Sequence, residues 1–288
     1  MSNVHPSSKN WAEGPSSSTA PVGRLLGQTS GYPTAYCPEV LEPIARTRGR
    51  QSLLGDAAWP YFGEDVWTAY EVAFLGPDGR PHVGAAQLHV PCHSSHIVES
   101  KSLKLYLFGL NNTVFANRQA YADCVCRDVG RAVGAEVHWT WLDAHAPGVL
   151  PQPVGGRSID DAPFEKKSLA EATGALKSHG PVVTERLYSE LLRSLCPVTA
   201  QPDWATLVVE STGPALDAAS LLAYVVAYRD HQGFHEQCVE RIFLDLWRRC
   251  DLTALTVYAR YTRRGGIDIN PLRSTHEALP SMTRTWRQ

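Results

Sequence analysis

The sequence predicts an α+β protein made of two halves of similar layout, each an antiparallel sheet with helices packed against it. Three patterns predict this. Apolar residues alternate on either side of tight turns, they return every three or four positions in the segments between, and the order strand, helices, strand occurs on both sides of a Pro- and Gly-rich stretch.

In chain order, residues 1–22 are rich in Ser, Pro and Asn, with too little apolar content to offset the entropy of ordering, and read as a disordered tail. The first domain is expected over 23–150. Within it VWTAYEVAFL (Val66 to Leu75) reads as a strand, GPDGRP as a turn, and HVGAAQLHV as the returning strand of a hairpin. Leu103, Tyr106, Leu107 and Leu110 then recur at helical spacing behind Ser102, a second helical pattern runs from about Asn117 to Val133, and AEVHWTWL alternates like a strand. The stretch 151–168, dense in Pro, Gly and charge, reads as a linker. A second domain is expected over 169–288. There WATLVVE reads as a strand, Asp217 to Asp230 as a helix, Val239, Ile242, Phe243 and Leu246 as one helical face, and LTVYARYT as a closing strand. ERLYSELLRSLC fits helix and strand templates equally.

Bulk properties narrow the function. Lys plus Arg number 27 against 29 for Asp plus Glu, so no global field exists to hold a polyanion, and neither a long nucleic acid nor a membrane surface is expected as the main partner. The longest apolar stretch, around Ala219 to Tyr228, falls well short of the roughly 20 residues a membrane-spanning helix needs. Seven scattered cysteines without framework spacing, and an amino end lacking a signal-type apolar core, point to reduced thiols in a cytoplasmic setting.

The densest chemical cluster is SLCPVTAQPDW. Pro197 and Pro202 oppose regular helix and mid-sheet pairing, which puts Cys196 and Asp203 on a stiff loop beside a strand. A thiol becomes a nucleophile where neighbours favour its thiolate, and a carboxyl in a dry pocket stays protonated and can donate. A buried structural cysteine near a turn aspartate leaves the same trace, and spacing does not separate the two. GFHEQC sets His235 and Glu236 at a helix start, where they either bind the donor edge of a heterocycle or serve as a surface histidine and a first-turn acid. Glu99 and Ser100 precede another helix whose first turns carry Lys101 and Lys104. Lysines there oppose the helix dipole and call for an anion such as phosphate, although solvated lysines have the same pattern. Arg263, Arg264, Gly265 and Gly266 combine cations with backbone that a ligand can approach closely, and equally describe a charged hairpin tip. No GxGxxG, P-loop or CxxC motif occurs, so any dinucleotide binds outside a Rossmann fold. Cys92, His93 and His96 with Cys124 and Cys126 match no standard zinc spacing, and no metal is expected.

Together ESKSLKLYL, LCPVTAQPDW, GFHEQC and RRGGIDINPLRS resemble the NADPH-dependent 7-cyano-7-deazaguanine reductases, the nitrile reductases of queuosine biosynthesis in tRNA modification. LGQTSGYPTAYCPEVLEPIAR is similar to the amino-terminal signature of the long, two-domain form, so the likeness runs from about Leu26 to Ser274. The resemblance implies tandem tunnelling-fold (T-fold) domains, each an antiparallel sheet with two helices on one face, in a homodimer. It also implies Cys196 as a thioimide-forming nucleophile and Asp203 as its proton donor. Val98, Glu99, Ser100, His235 and Glu236 would recognise the base, and Ser100, Lys101, Arg264 and Gly265 would bind NADPH, two molecules of which are used per turnover. LFGLNN after the lysine-bearing helix, and Leu272 where an aromatic is frequent, depart from the family wording.

Apart from the resemblance, a cysteine hydrolase or amidotransferase using Cys196 and His235, and a non-catalytic purine or pterin binder, remain open. Cys238, about one helical turn beyond His235, could form a reversible disulfide with Cys196 or lie buried and inert.

Overall fold

Strand β2 (Phe62–Leu75) and strand β3 (Pro81–Pro91) form the hairpin that the Pro77–Gly79 turn chemistry predicts, and β5 (His138–Leu142) extends it on the β3 side. The structure is a computed structural model that describes residues 33–55, 57–143, 150–282 and 284–288. The expected tail at 1–22 and the beginning of the amino-terminal signature lie outside the described residues. Two helices follow the hairpin, α2 (Ser100–Leu110) and α3 (Arg118–Val133). Asn117 caps α3 by accepting a bond from the Ala120 amide at 2.9 Å, a contact worth about 1 kcal/mol.

The second half repeats this order: β7 (Ser178–Leu195) and β8 (Pro202–Leu216) form a long hairpin, α5 (Ala218–Ala227) and α6 (His235–Arg249) follow, and β9 (Ala254–Tyr261) and β10 (Ile267–Ser274) close it. Val239, Ile242, Phe243 and Leu246 of α6 are fully buried against the sheet, each such burial contributing roughly 1.5–3 kcal/mol. The undecided ERLYSELLRSLC is strand. A bulge between Ser189 and Leu192 shifts the inward positions from Leu187 and Ser189 to Leu192 and Ser194, so the apolar spacing mimics a helix.

The halves do not keep separate sheets. All the long strands join in one eight-stranded sheet of order β5-β3-β2-β10-β9-β8-β7-β6, where β6 is Arg157–Ser158. The seam is β10 against β2, antiparallel from Ile267 opposite Ala69 to Ser274 opposite Phe62. Pairing of β10 with β9 begins only at Leu272, one residue past Pro271, the position where a missing N–H would weaken a strand paired on both sides. Among the described strands of this sheet, only the β6–β7 pair is parallel. Helices α2 and α3 cover one half of a single face and α5 and α6 the other. On the opposite face Val208, Tyr258 and Leu272 pack with Val154 and Leu279. The stretch 151–168 carries β6 and buries Ile159 in the second-half core.

A buried ion-pair cluster crosses the seam. Arg46, which precedes α1 (Thr47–Leu54), reaches Asp65 of β2 at 2.5 Å. Arg273 of β10 reaches Asp65 at 2.8 Å and Glu240 of α6 at 2.7 Å, and Arg50 of α1 reaches Glu240 at 2.6 Å. The arginines hold the carboxyls of Asp65 and Glu240 below their ordinary range against the opposing pull of burial, which is the largest single influence on each.

Candidate active site

Cys196 sits at the tip of the β7–β8 hairpin, half-buried. Its amide donates to the Gln201 carbonyl at 2.9 Å, and its carbonyl accepts from the Ala200 amide at 3.0 Å, with Ala200 at φ 54°. The preceding residue is tied down as well, since the Leu195 amide donates to His231 and its carbonyl accepts from Gly233. The Cys196 sulfur makes no hydrogen bond to another described residue and lines the cavity.

Asp203 lies on the second residue of β8, opposite Ser194, not on the loop that the two prolines suggest. Pro202 opens the strand, a position where a missing donor costs little. The carboxyl is buried and held at two points. His235 Nε2 lies 3.3 Å from Oδ2, and the Arg264 guanidinium pairs with Oδ1. His235 is the first residue of α6. Its ring stacks on Tyr261 of β9 with centroids 3.7 Å apart and planes 6° apart, and its buried Nδ1 has no partner. The imidazole is therefore presented to Asp203 and not to the Cys196 sulfur, which does not favour a Cys196–His235 hydrolase dyad.

Both helix starts point into the same space. Glu99 caps α2, accepting from the amides of Lys101 at 2.9 Å and Ser102 at 2.8 Å, while the Ser100 hydroxyl donates to it at 3.2 Å. Glu236 of α6 is only 3% exposed, and burial, reinforced by the charge of Asp65, pushes its carboxyl up to about 8. The cationic side is the turn between β9 and β10. The Arg264 amide donates to the Ile267 carbonyl at 2.9 Å and the Ile267 amide returns the bond at 3.2 Å, with Gly265 at φ 56° and Gly266 at φ 81°, the two left-handed residues of a type I′ turn. A side chain at Gly265 would collide with Lys104 Nζ. Arg264 also reaches back to the nucleophile's loop, donating to the Gln201 side-chain oxygen at 3.0 Å.

These parts enclose a cavity of about 260 Å³. Val98, Glu99, Ser100, Lys101, Cys196, Asp203, His235, Glu236, Arg264 and Gly265 all line it. Sequence reasoning did not place Lys104 in the cofactor set, although its i,i+3 spacing from Lys101 puts it on the same helix face. Tyr261 and Gln201 left no local signal. Cys238 is fully buried, and burial pushes its thiol up to about 12. The cysteines and histidines weighed as zinc ligands are dispersed. Cys124 packs on Tyr106 and Asp128, His96 contacts Ser95, and among the described residues no three His, Cys, Asp or Glu side chains gather as metal donors.

Residues 32–141 match the family described as nitrile reductase, 7-cyano-7-deazaguanine-reductase N-term, and residues 202–279 match the family described as QueF-like protein. Curated relatives span nearly the whole chain. A protein of Bordetella pertussis is 47% identical over 91% of this chain and 97% of its own. One of Verminephrobacter eiseniae is 44% identical over 93% and 99%, and one of Desulfotalea psychrophila 44% over 88% and 94%. Each of the three is named NADPH-dependent 7-cyano-7-deazaguanine reductase.

Proposed function

The chain belongs to the family of NADPH-dependent 7-cyano-7-deazaguanine reductases, and from that premise we propose that its cavity reduces the nitrile of 7-cyano-7-deazaguanine to the aminomethyl group, a step of queuosine biosynthesis, through a thioimide on Cys196. The observation that carries this reading is the meeting, around one cavity, of a thiol, a buried aspartate, two helix-start glutamates and a cationic glycine turn.

The chemistry assigns each a task. A nitrile carbon is a poor hydride acceptor. Addition of the Cys196 thiolate to it, with a proton from Asp203 to the nitrogen, makes a trigonal C=N carbon bonded to sulfur. After one hydride has reached that carbon, loss of the thiolate leaves an imine, and a second proton and hydride complete the amine. Two NADPH molecules would supply the hydrides, one each. Lys101, Lys104 and Arg264 around Gly265 suit its phosphates, because the glycine admits close backbone approach and the cations offset the charge. Glu236 and Glu99 face the cavity as acceptors for the N–H groups of the base.

The wider assembly follows the family as well. The proposal includes two T-fold domains at 23–150 and 169–288 joined by 151–168, a homodimer, and a cytoplasmic setting. Among the described residues, no helix is long and apolar enough to cross a membrane. The test incubates the protein with 7-cyano-7-deazaguanine, with and without NADPH, and follows NADPH absorbance and intact mass. Expected are NADPH loss and a mass adduct that disappears in Cys196→Ala. No adduct and no NADPH loss would reject the proposal.

A further inference from the structure

Two carboxyls face the cavity from helix starts, and they differ in what they have left to offer. Glu99 already accepts from the amides of Lys101 and Ser102 and the hydroxyl of Ser100, which leaves it part of a carboxylate's accepting capacity. Glu236 accepts no hydrogen bond from another side chain among the described residues and forms no ion pair there, yet it is almost completely buried. Behind it stands the seam cluster. From β2 comes Asp65, from β10 Arg273, from the residues at the start of α1 Arg46 and Arg50, and from its own helix Glu240, four positions on. Cys238 lies on the same helix, and Glu99, Lys101, Lys104, Cys196, Asp203, His235 and Arg264 are the other ionisable groups lining the cavity it faces.

The balance of this cluster bears directly on Glu236. Asp65 opposes its ionisation, whereas a backbone hydrogen bond, Arg46 and Arg273 favour it, and burial opposes it most. A base with two adjacent N–H donors would supply partners that no protein side chain gives, and such an edge is matched by a carboxylate that accepts both and not by a carboxylic acid that must donate one proton. Resting on the base-binding reading above, we propose that Glu236 releases a proton to solvent when the base binds, and that Asp65, through the seam cluster, sets the pH at which it does so. Asp65 is thus a positioning residue for recognition across the domain seam, although it does not line the cavity itself.

The sign follows from linkage. The free protein holds the proton on Glu236 up to about 8, while the complex does not, so affinity rises with pH below that point and levels above it. Replacing Asp65 with Asn removes the charge that opposes ionisation and moves the plateau to lower pH.

The experiment uses full-length Cys196→Ala, which cannot form the covalent adduct, titrated calorimetrically with 7-cyano-7-deazaguanine in buffers of different ionisation enthalpy from pH 6 to 9. Expected is release of about one proton per base at pH 6, falling to none at pH 9, with affinity rising roughly tenfold per pH unit at the acid end. Adding Glu236→Gln should abolish the proton release, and adding Asp65→Asn should shift its midpoint downward. Difference infrared spectra of the unsubstituted cluster, which need no change to the ion pairs, should show a protonated carboxyl signal lost on binding. Binding without proton release, or a midpoint that Asp65→Asn leaves in place, overturns the inference but leaves the reductase reading standing. Failure to bind the base at any pH overturns both.

Discussion

Nε2 of His235 lies 3.3 Å from Oδ2 of Asp203, while the guanidinium of Arg264 holds the other oxygen of the same carboxyl. The residue assigned the proton-donor role is thus clasped from both sides, by a helix start and by the β9–β10 turn. The clasp ties the acid to the two elements that would carry base and cofactor.

Asp203→Asn keeps the shape and part of the hydrogen bonding but removes the transferable proton. The expected result is a fall in the rate of NADPH oxidation of roughly 10²- to 10⁴-fold, the usual worth of a positioned acid, with thermal unfolding little changed. Steady-state absorbance together with a melting curve checks it. A loss of less than tenfold would remove Asp203 from the mechanism.

Gly265→Ala asks a Cβ to occupy a left-handed position and the space of Lys104 Nζ. Lys104 is a flexible chain and can retreat, so the fold should survive at a cost of about 1 kcal/mol. The phosphate-binding arrangement should not. KM for NADPH is expected to rise about tenfold or more while kcat changes little, the mark of lost uniform binding.

Glu236 also leaves a signature in stability. Its folded-state carboxyl is raised to about 8 from the ordinary glutamate value of 4.5, so its contribution is fully present below 4.5 and is lost as pH rises through 8. Relative to the wild type, Glu236→Gln should therefore gain stability between pH 5 and 8, on the order of a few kcal/mol. The difference in denaturant midpoint across that window measures it, and a flat difference would contradict the raised value.

Arg273 is wholly buried between Asp65 and Glu240. Arg273→Ala leaves two carboxylates without their shared cation and should cost roughly 3–5 kcal/mol, read by urea unfolding. A cost below about 1 kcal/mol would mean that the cluster does not hold the seam.

How much of this was legible beforehand differs by scale. Local patterns located the first hairpin, the four long helices and the residue types at the helix starts, because each depends on neighbours within a turn or a pleat. Short motifs brought the ten site residues to notice, and the resemblance supplied their expected roles. Where two signals conflicted the spacing fell short: it left the bulged β7 undecided, since a bulge shifts the alternation, and it put Asp203 on a loop, since a proline is tolerated at a strand's first position. The tertiary structure alone decided that β10 joins β2, that Arg273 meets Asp65, 208 positions away in sequence, and that Asp203 is held between His235 and Arg264. It alone decided that Glu236 is buried without a side-chain partner among the described residues while Glu99 caps its own helix. Such outcomes depend on which distant surfaces exclude water together, and no local window of sequence records that.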